Sequence, residues 1–416
     1  MSLTTTEAFM DEPRVLSIQS HVVHGYVGNR SAVFPMQLLG LEVDVLNTVH
    51  FSNHTGYKKF RGERMTCDQL ENVIAGLEEN DLLHYTHLLT GYIGNPALLR
   101  AITDTLRKLR RQNPSSLYVC DPVMGDDGKL YVSPELVDIY RDEVLPLADI
   151  ITPNQFECEL LSGQTLTSDA DVVAACRMLH ALGPRIVVVS SFTPPDEPHR
   201  LWLYASEAVT VNGRQLSNMY KMEVPRLPAY YSGTGDLFAA LLLAWLAKHP
   251  TNLKLVLETV VATVQAVMRR TNDAQSANRE LKLIQSRRDI ESPTIVLKAQ
   301  LLAGPITHVI WDARHLIEQQ ADGIAMLQSS GISVVVLIDE KTSAPSLATA
   351  SSPVVSVSCF NESASWADVC AKARVAPANA VLLSDGTFLP HDSNVVAFQT
   401  SAILRDTLAM VATSFK

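Results

Sequence analysis

The sequence predicts an α/β protein: a largely parallel sheet covered by helices on both faces, followed by a second, smaller α/β unit. Three observations predict it. Apolar strand-like runs alternate with helix-periodic stretches along the chain. Polar or glycine residues stand at the carboxyl ends of those runs, where open α/β sheets hold ligands: Ser20, Gly91, Tyr92, Asp121, Thr152, Asn154, Ser190 and Ser191. The run SGTGDLFAALLLAW (232–245) joins a glycine-rich turn directly to an apolar stretch of helical length.

Residues 1–13 are polar, lack the basic and apolar regions of a signal peptide, and are expected to be disordered. VLSI (15–18) is the first strand; GYVGN and a helical stretch to about Leu39 follow. VDVLNTV (43–49), HLLTGY (87–92), LYVCDPV (117–123), ADIITPN (148–154) and RIVVVSS (185–191) are further strands with helices between them. LWLYAS and AVTVNG (201–213) read as a hairpin. The long helix 252–271 follows the SGTGD segment. Residues 272–292 are polar and charged, an exposed helix or linker, and SPTIVLKAQLL (292–302) closes the unit. A new alternation fills 303–416: THVIWDA, ISVVVLIDE, PVVSVSC, NAVLLSDG and NVVAF, with a flexible loop at 342–352 and a terminal helix from about Ser401.

Composition narrows the classes. The 416 residues, 47% hydrophobic and 19% charged, describe a soluble globular protein of one large domain and one smaller. A net charge of −10 argues against a nucleic-acid binder, and no apolar run reaches membrane-spanning length. Cys67, Cys120, Cys158, Cys176, Cys359 and Cys370 show no CxxC pairing and read as reduced thiols of a cytoplasmic protein.

In SGTGD, Gly233 and Gly235 permit unusual backbone angles and close approach of a ligand. Free N–H groups of the first helical turn form an anion cradle, and Asp236 sets a carboxylate beside it. A base next to such a cradle suits phosphoryl transfer to a hydroxyl. The same residues also fit a plain helix start, with Thr234 as cap. Asn154 and Glu157, three apart, fit a capping box as well as a ligand pair. Ser190 and Ser191 fit a strand end, Tyr92 a core tyrosine, and GDDGKLYV (125–132) a surface turn.

Several segments together resemble the pyridoxal kinase family of the ribokinase-like superfamily: RVLSIQSHVVHGYVGN, FSNHTGY (51–57), LTGY, YVCDPVMGD (118–126), ADIITPNQFECELLSG (148–163) and SGTGDLFAALLLAW. The resemblance covers about Arg14 to Leu302. It implies a three-layer α/β/α sandwich, usually a homodimer, that phosphorylates the 5′ hydroxymethyl group of pyridoxal, pyridoxine and pyridoxamine with ATP. It implies Asp236 as base, with the amides of Gly233, Thr234 and Gly235 around the transferring group. A carboxylate at a helix N-terminus is expected to be a weak base. Asp121 and Glu157 match acidic positions near Mg²⁺ (or another divalent cation) and the phosphates. Asp126 and Thr152 match positions for a monovalent cation, K⁺ or Na⁺, or the metal-bound phosphates. Asn154, Ser190 and Ser191 match nucleotide contacts. Ser20, Val27, Thr55 and Tyr92 match the surroundings of the pyridine ring, with Ser20 on the ring nitrogen and Thr55 on the ring hydroxyl; His54 supports the loop.

The chain departs from the family pattern in three places. EVPRLPAYY (223–231), which should border adenine, is stiffened by Pro225 and Pro228 and made bulky by Tyr230 and Tyr231. The lid segment 125–132 is short. Residues 303–416 are additional and loosely resemble a degenerate haloacid-dehalogenase-like fold, with Asp312 and Asp385 after strands. Arg314 stands where a second aspartate belongs, Asp339 and Glu340 replace the expected Ser or Thr, and the nearest upstream basic residue is Arg374. The expectation is a non-catalytic domain. Two alternatives to the kinase reading are a related hydroxymethylpyrimidine kinase and a non-catalytic vitamer sensor.

Overall fold

The computed structural model describes residues 13–211, 214–227, 231–274 and 279–303, and five strands beyond them. The chain divides into two compact units, residues 1–208 with 219–300, and residues 209–218 with 301–416. The first unit runs β1 (Arg14–Val22), α1 (Asn29–Leu38), β2 (Glu42–Phe51), β3 (Gly62–Arg64), α2 (Cys67–Glu79), β4 (His87–Thr90), α3 (Pro96–Gln112) and β5 (Leu117–Cys120). The short hairpin β6 (Gly125–Asp126) and β7 (Lys129–Leu130) follows, then α4 (Glu135–Ile139), β8 (Ile150–Ile151), α5 (Gln155–Ser162), α6 (Asp169–Leu182) and β9 (Ile186–Phe192). Next come β10 (Trp202–Val211), β11 (Arg214–Glu223), α7 (Thr234–Lys248), α8 (Leu253–Asp273), α9 (Arg287–Glu291) and β12 (Gln300–Ala303).

The large sheet carries the order β11-β10-β9-β8-β5-β4-β1-β2-β3. From β9 to β2 every pairing is parallel. The pairings β10 with β9 and β3 with β2 are antiparallel. The central strands are buried, as their continuous apolar runs require. Strand order reverses at β1, which has β2 on one side and β4 on the other. That reversal opens a crevice beyond the carboxyl ends of β1 and β4.

Helix α7 is apolar around nearly its whole circumference, and Leu237 to Ala244 are all buried in the main core with α8 and the sheet. Helices α2, α3, α5, α6 and α8 are each N-capped by a side chain; α1 and α7 are not. The short α4 and α9 also lack a side-chain cap, but the ends of α1 and α7 belong to the site described below.

Two sequence expectations are corrected. Residues 202–211 form one strand, and the hairpin partner is 214–223 rather than a second half of 201–213. The stretch 272–292 is not simply exposed: Leu281, Leu283 and Ile290 are fully buried. These three apolar residues anchor a segment whose charged majority suggested a linker. The segment 125–132 closes as a two-residue hairpin, with Asp127 and Gly128 both at positive φ. Among the described cysteines, Cys67, Cys120, Cys158 and Cys176 are free thiols.

Beyond residue 303 the described residues are five parallel strands: β13 (His308–Asp312), β14 (Ser333–Ile338), β15 (Val355–Ser358), β16 (Ala380–Ser384) and β17 (Val395–Ala397). Their order is β15-β14-β13-β16-β17, and Asp312 ends the central strand. The expectations for residues 1–12, Pro228, Tyr230, Arg314, Asp339, Glu340, Arg374, Asp385, Cys359, Cys370, the loop 342–352 and the terminal helix lie outside the described residues.

Candidate active site

The crevice is bordered by the ends of β1, β4, β5 and β8 and by the start of α7. Helix α7 begins at Thr234, and its N-cap is Gly233 at φ 82°, not Thr234. A side chain at Gly233 would overlap the Tyr26 carbonyl oxygen, so the position needs glycine for both angle and space. Ser31 Oγ donates to the Gly233 carbonyl at 2.9 Å, tying this turn to α1. Gly235, in contrast, lies on ordinary helical backbone. Without a side-chain cap, the first-turn amides of Thr234 and Gly235 remain available to an anion.

The backbone N–H groups of Gly28 and of Asp236 itself favour the charged Asp236 carboxylate. Burial nevertheless dominates and raises its pKa, because desolvation of the anion outweighs those donors. The expectation of a weakly basic Asp236 is thus corrected: burial raises the carboxyl against its backbone N–H neighbours. Ser20, 9% exposed, lies against Gly28 and so joins the same corner.

A buried polar chain fixes the group beside Asp236. The Leu46 carbonyl can only accept, so Asn29 presents Nδ2 to it at 3.1 Å and Oδ1 elsewhere. That Oδ1 takes the Ser17 hydroxyl at 2.7 Å, which leaves Ser17 Oγ to accept from Gln19 Nε2 at 2.9 Å. Gln19 Oε1 therefore faces Gly91, and no donor meets it.

Asp121 and Glu157 are both buried. Burial, then the Asp236 charge, raises Asp121, while Thr152 Oγ1 donates to it at 2.8 Å. Burial, then the Asp121 charge, raises Glu157. Glu157 accepts the Met124 N–H at 2.9 Å and the Gly125 N–H at 3.4 Å. Its other oxygen and Asn154 complete a capping box on α5. The capping alternative is therefore realised for both residues, and Asn154 spends its amide on the Gly125 carbonyl at 2.7 Å. Neither Asp121 nor Glu157 is lowered by a cationic side chain. Two adjacent buried carboxylates of this kind fit a divalent cation completed by phosphate and water oxygens.

Other candidate residues are less converged. Asp126, raised by burial, accepts the adjacent Asp127 N–H at 2.9 Å. Ser190 donates to the Pro153 carbonyl at 3.3 Å and sits with Ser191 near the end of β9. Val27 packs against Val22, Val49 and Phe51. Thr55 is exposed on the loop after β2, and the Tyr92 carbonyl accepts from Thr48 at 3.1 Å. Tyr231 is buried in the core, its hydroxyl on Asn272 at 3.1 Å, rather than free to add bulk to a pocket. Sequence reasoning missed Gln19 and Glu280; only the polar run QS at the end of a buried strand hinted at the first.

The phosphomethylpyrimidine kinase family model matches residues 46–279. The chain is 50% identical over 298 residues to a pyridoxal kinase of Arabidopsis thaliana, across 70% of this chain and 95% of that protein. It is 43% identical over 310 residues to the pyridoxal kinase of Homo sapiens, across 70% of this chain and 99% of that one. The structure of a pyridoxal kinase from Leishmania donovani in complex with ADP and pyridoxamine superposes with a TM-score of 0.65 at 37% identity, covering 70% of this chain and all of that one.

Proposed function

The chain belongs to the pyridoxal kinase family, and from that premise we propose a residue-level account of its reaction. The protein catalyses ATP-dependent phosphorylation of vitamin B6, moving a phosphoryl group to the hydroxymethyl group of pyridoxal, pyridoxine or pyridoxamine. The observation that carries the account is Asp236: a buried carboxylate of raised pKa at the uncapped start of α7.

Asp236 accepts the hydroxyl proton as the substrate oxygen bonds to the γ-phosphorus and ADP leaves. Its burial keeps it basic enough to hold that proton, while the loose transition state asks little activation of it. The Gly233, Thr234 and Gly235 amides hold the transferring oxygens in the direction of the helix dipole. Asp121 and Glu157, with the Thr152 hydroxyl on Asp121, would hold Mg²⁺ or another divalent cation, and Thr152 and Asp126 a monovalent one. The divalent ion supplies neutralising charge across the phosphate oxygens. Asn154, Ser190 and Ser191 border the nucleotide phosphates. Ser20, Val27, Thr55 and Tyr92 surround the pyridine ring, where a flat polar aromatic needs an apolar face and a few hydroxyls.

Residues 14–302 form the kinase domain in this reading, and 303–416 a non-catalytic addition. A homodimer in the cytoplasm belongs to the same reading; among the described residues no helix is long and apolar enough to cross a membrane. The match to the phosphomethylpyrimidine kinase model favours one competing substrate, hydroxymethylpyrimidine. A coupled assay of ADP release with pyridoxal, pyridoxine and hydroxymethylpyrimidine decides. Turnover of the two vitamers is expected; none with either would sink the account.

A further inference from the structure

Glu280 lies one residue beyond the span matched by the family model. Its side chain, 11% exposed, gathers donors from two separate loops. One oxygen accepts the Tyr26 N–H at 3.0 Å, and the other accepts the Tyr57 hydroxyl at 2.8 Å. His54 Nε2 lies 3.4 Å from that second oxygen. His54 Nδ1 accepts the Gly56 N–H at 3.2 Å, which leaves the ring proton on Nε2, facing Glu280. Gly25, at φ 101°, makes the approach possible: a Cβ there would stand 2.5 to 2.7 Å from the carboxyl atoms. Burial opposes the charge of Glu280, but the bonds from His54, Tyr57 and Tyr26 outweigh it and hold the carboxyl below its usual range. The Tyr57 hydroxyl is pushed up to about 12 by burial and then by Glu280, so it remains a donor.

These two loops carry Val27 and Thr55. We propose that Glu280 is a positioning residue for the vitamer pocket, clasping loop 25–27 to loop 54–57 and so setting the spacing of Val27 and Thr55 about the ring. This rests on the reading that places those two residues at the ring. The nucleotide-side residues Asn154, Glu157 and Ser190 take their partners from other elements. Tyr26 also borders the start of α7 through its carbonyl beside Gly233, but no bond of the clasp goes to a nucleotide-side residue, so the vitamer KM is the parameter it moves.

The test is Glu280→Gln in the full-length protein, with KM measured for pyridoxal, pyridoxine and ATP. Glutamine has one acceptor oxygen and a donor amide, so one loop must face a donor. Both vitamer KM values should rise about tenfold, the worth of one lost bond to a charged group, with kcat and the ATP KM within about twofold. Tyr57→Phe removes a single arm and should raise the vitamer KM less; in the Glu280→Gln background it should add little. If Glu280→Gln does not fold, Tyr57→Phe alone decides. Unchanged vitamer KM in both variants, or a parallel rise for vitamer and ATP, overturns the proposal. Thr55→Val separates the two readings: no effect there, with a vitamer-specific effect of Glu280→Gln, removes Thr55 from the ring and leaves the clasp standing.

Discussion

Substituting alanine at Gly91 adds one methyl group beside the Asp236 carboxylate. The new Cβ would stand 2.6 Å from Gln19 Oε1 and 3.5 Å from Asp236 Oδ1. The Asp236 contact is ordinary; the Gln19 contact is not, and relief needs a shift of about 0.8 Å to reach normal contact. Gln19 cannot easily give way. It is fully buried, and its amide is locked through Ser17 and Asn29 to the Leu46 carbonyl. Gly91 is not among the positive-φ glycines, so backbone strain plays no part. The end of β4 must therefore move, and with it the wall facing Asp236. A misplacement near 1 Å costs up to about 100-fold in rate, so kcat should fall 10- to 100-fold, roughly, while overpacking costs about 1–3 kcal/mol of stability. Steady-state ADP release measures the first and thermal unfolding the second. A kcat within about twofold of wild type in a folded Gly91→Ala protein would refute the rigid-wall reasoning, since a methyl in this corner should misplace the reacting atoms.

Other outcomes follow from the same geometry. Burial raises both Glu157 and Asp121, so the stability these carboxyls contribute is present at low pH and is lost as pH rises through their raised folded-state pKa values. The change in metal-free Tm on Glu157→Gln should therefore be more favourable at pH 8 than at pH 5, on top of a pH-independent loss of one backbone bond, and the variant should blunt stabilisation by Mg²⁺; equal shifts at both pH values would contradict the burial argument. The relatives are matched over 95–99% of their own length by 70% of this chain. Truncation after residue 302 should accordingly leave kcat/KM for pyridoxal and ATP within about threefold, and a larger loss would assign the appended unit a catalytic part.

Where the sequence was legible, the signal was local. The apolar runs of β1 and β9 and the glycine-rich start of α7 each sit within a few residues of the feature they predict. Glu280 was not legible, because its partners Tyr26 and Tyr57 are 254 and 223 residues away, within a stretch whose charge suggested a linker. The basicity of Asp236 was misjudged for a similar reason. The helix dipole can be read from position, whereas burial depends on α1, β1 and β4 closing over the carboxylate. Asn154 and Glu157 were spaced for a capping box, and they form one. That Glu157 also accepts Met124 and Gly125, 33 and 32 residues back, required the fold.

Asp236→Ala, assayed for turnover and for ATP binding by calorimetry, tests the central claim most directly. A positioned base contributes about 10²- to 10⁴-fold, so kcat should fall by that range while the Kd for ATP stays within about threefold. Loss of ATP binding in step with kcat would make Asp236 a structural residue of the helix start, and retention of kcat would remove it from the reaction.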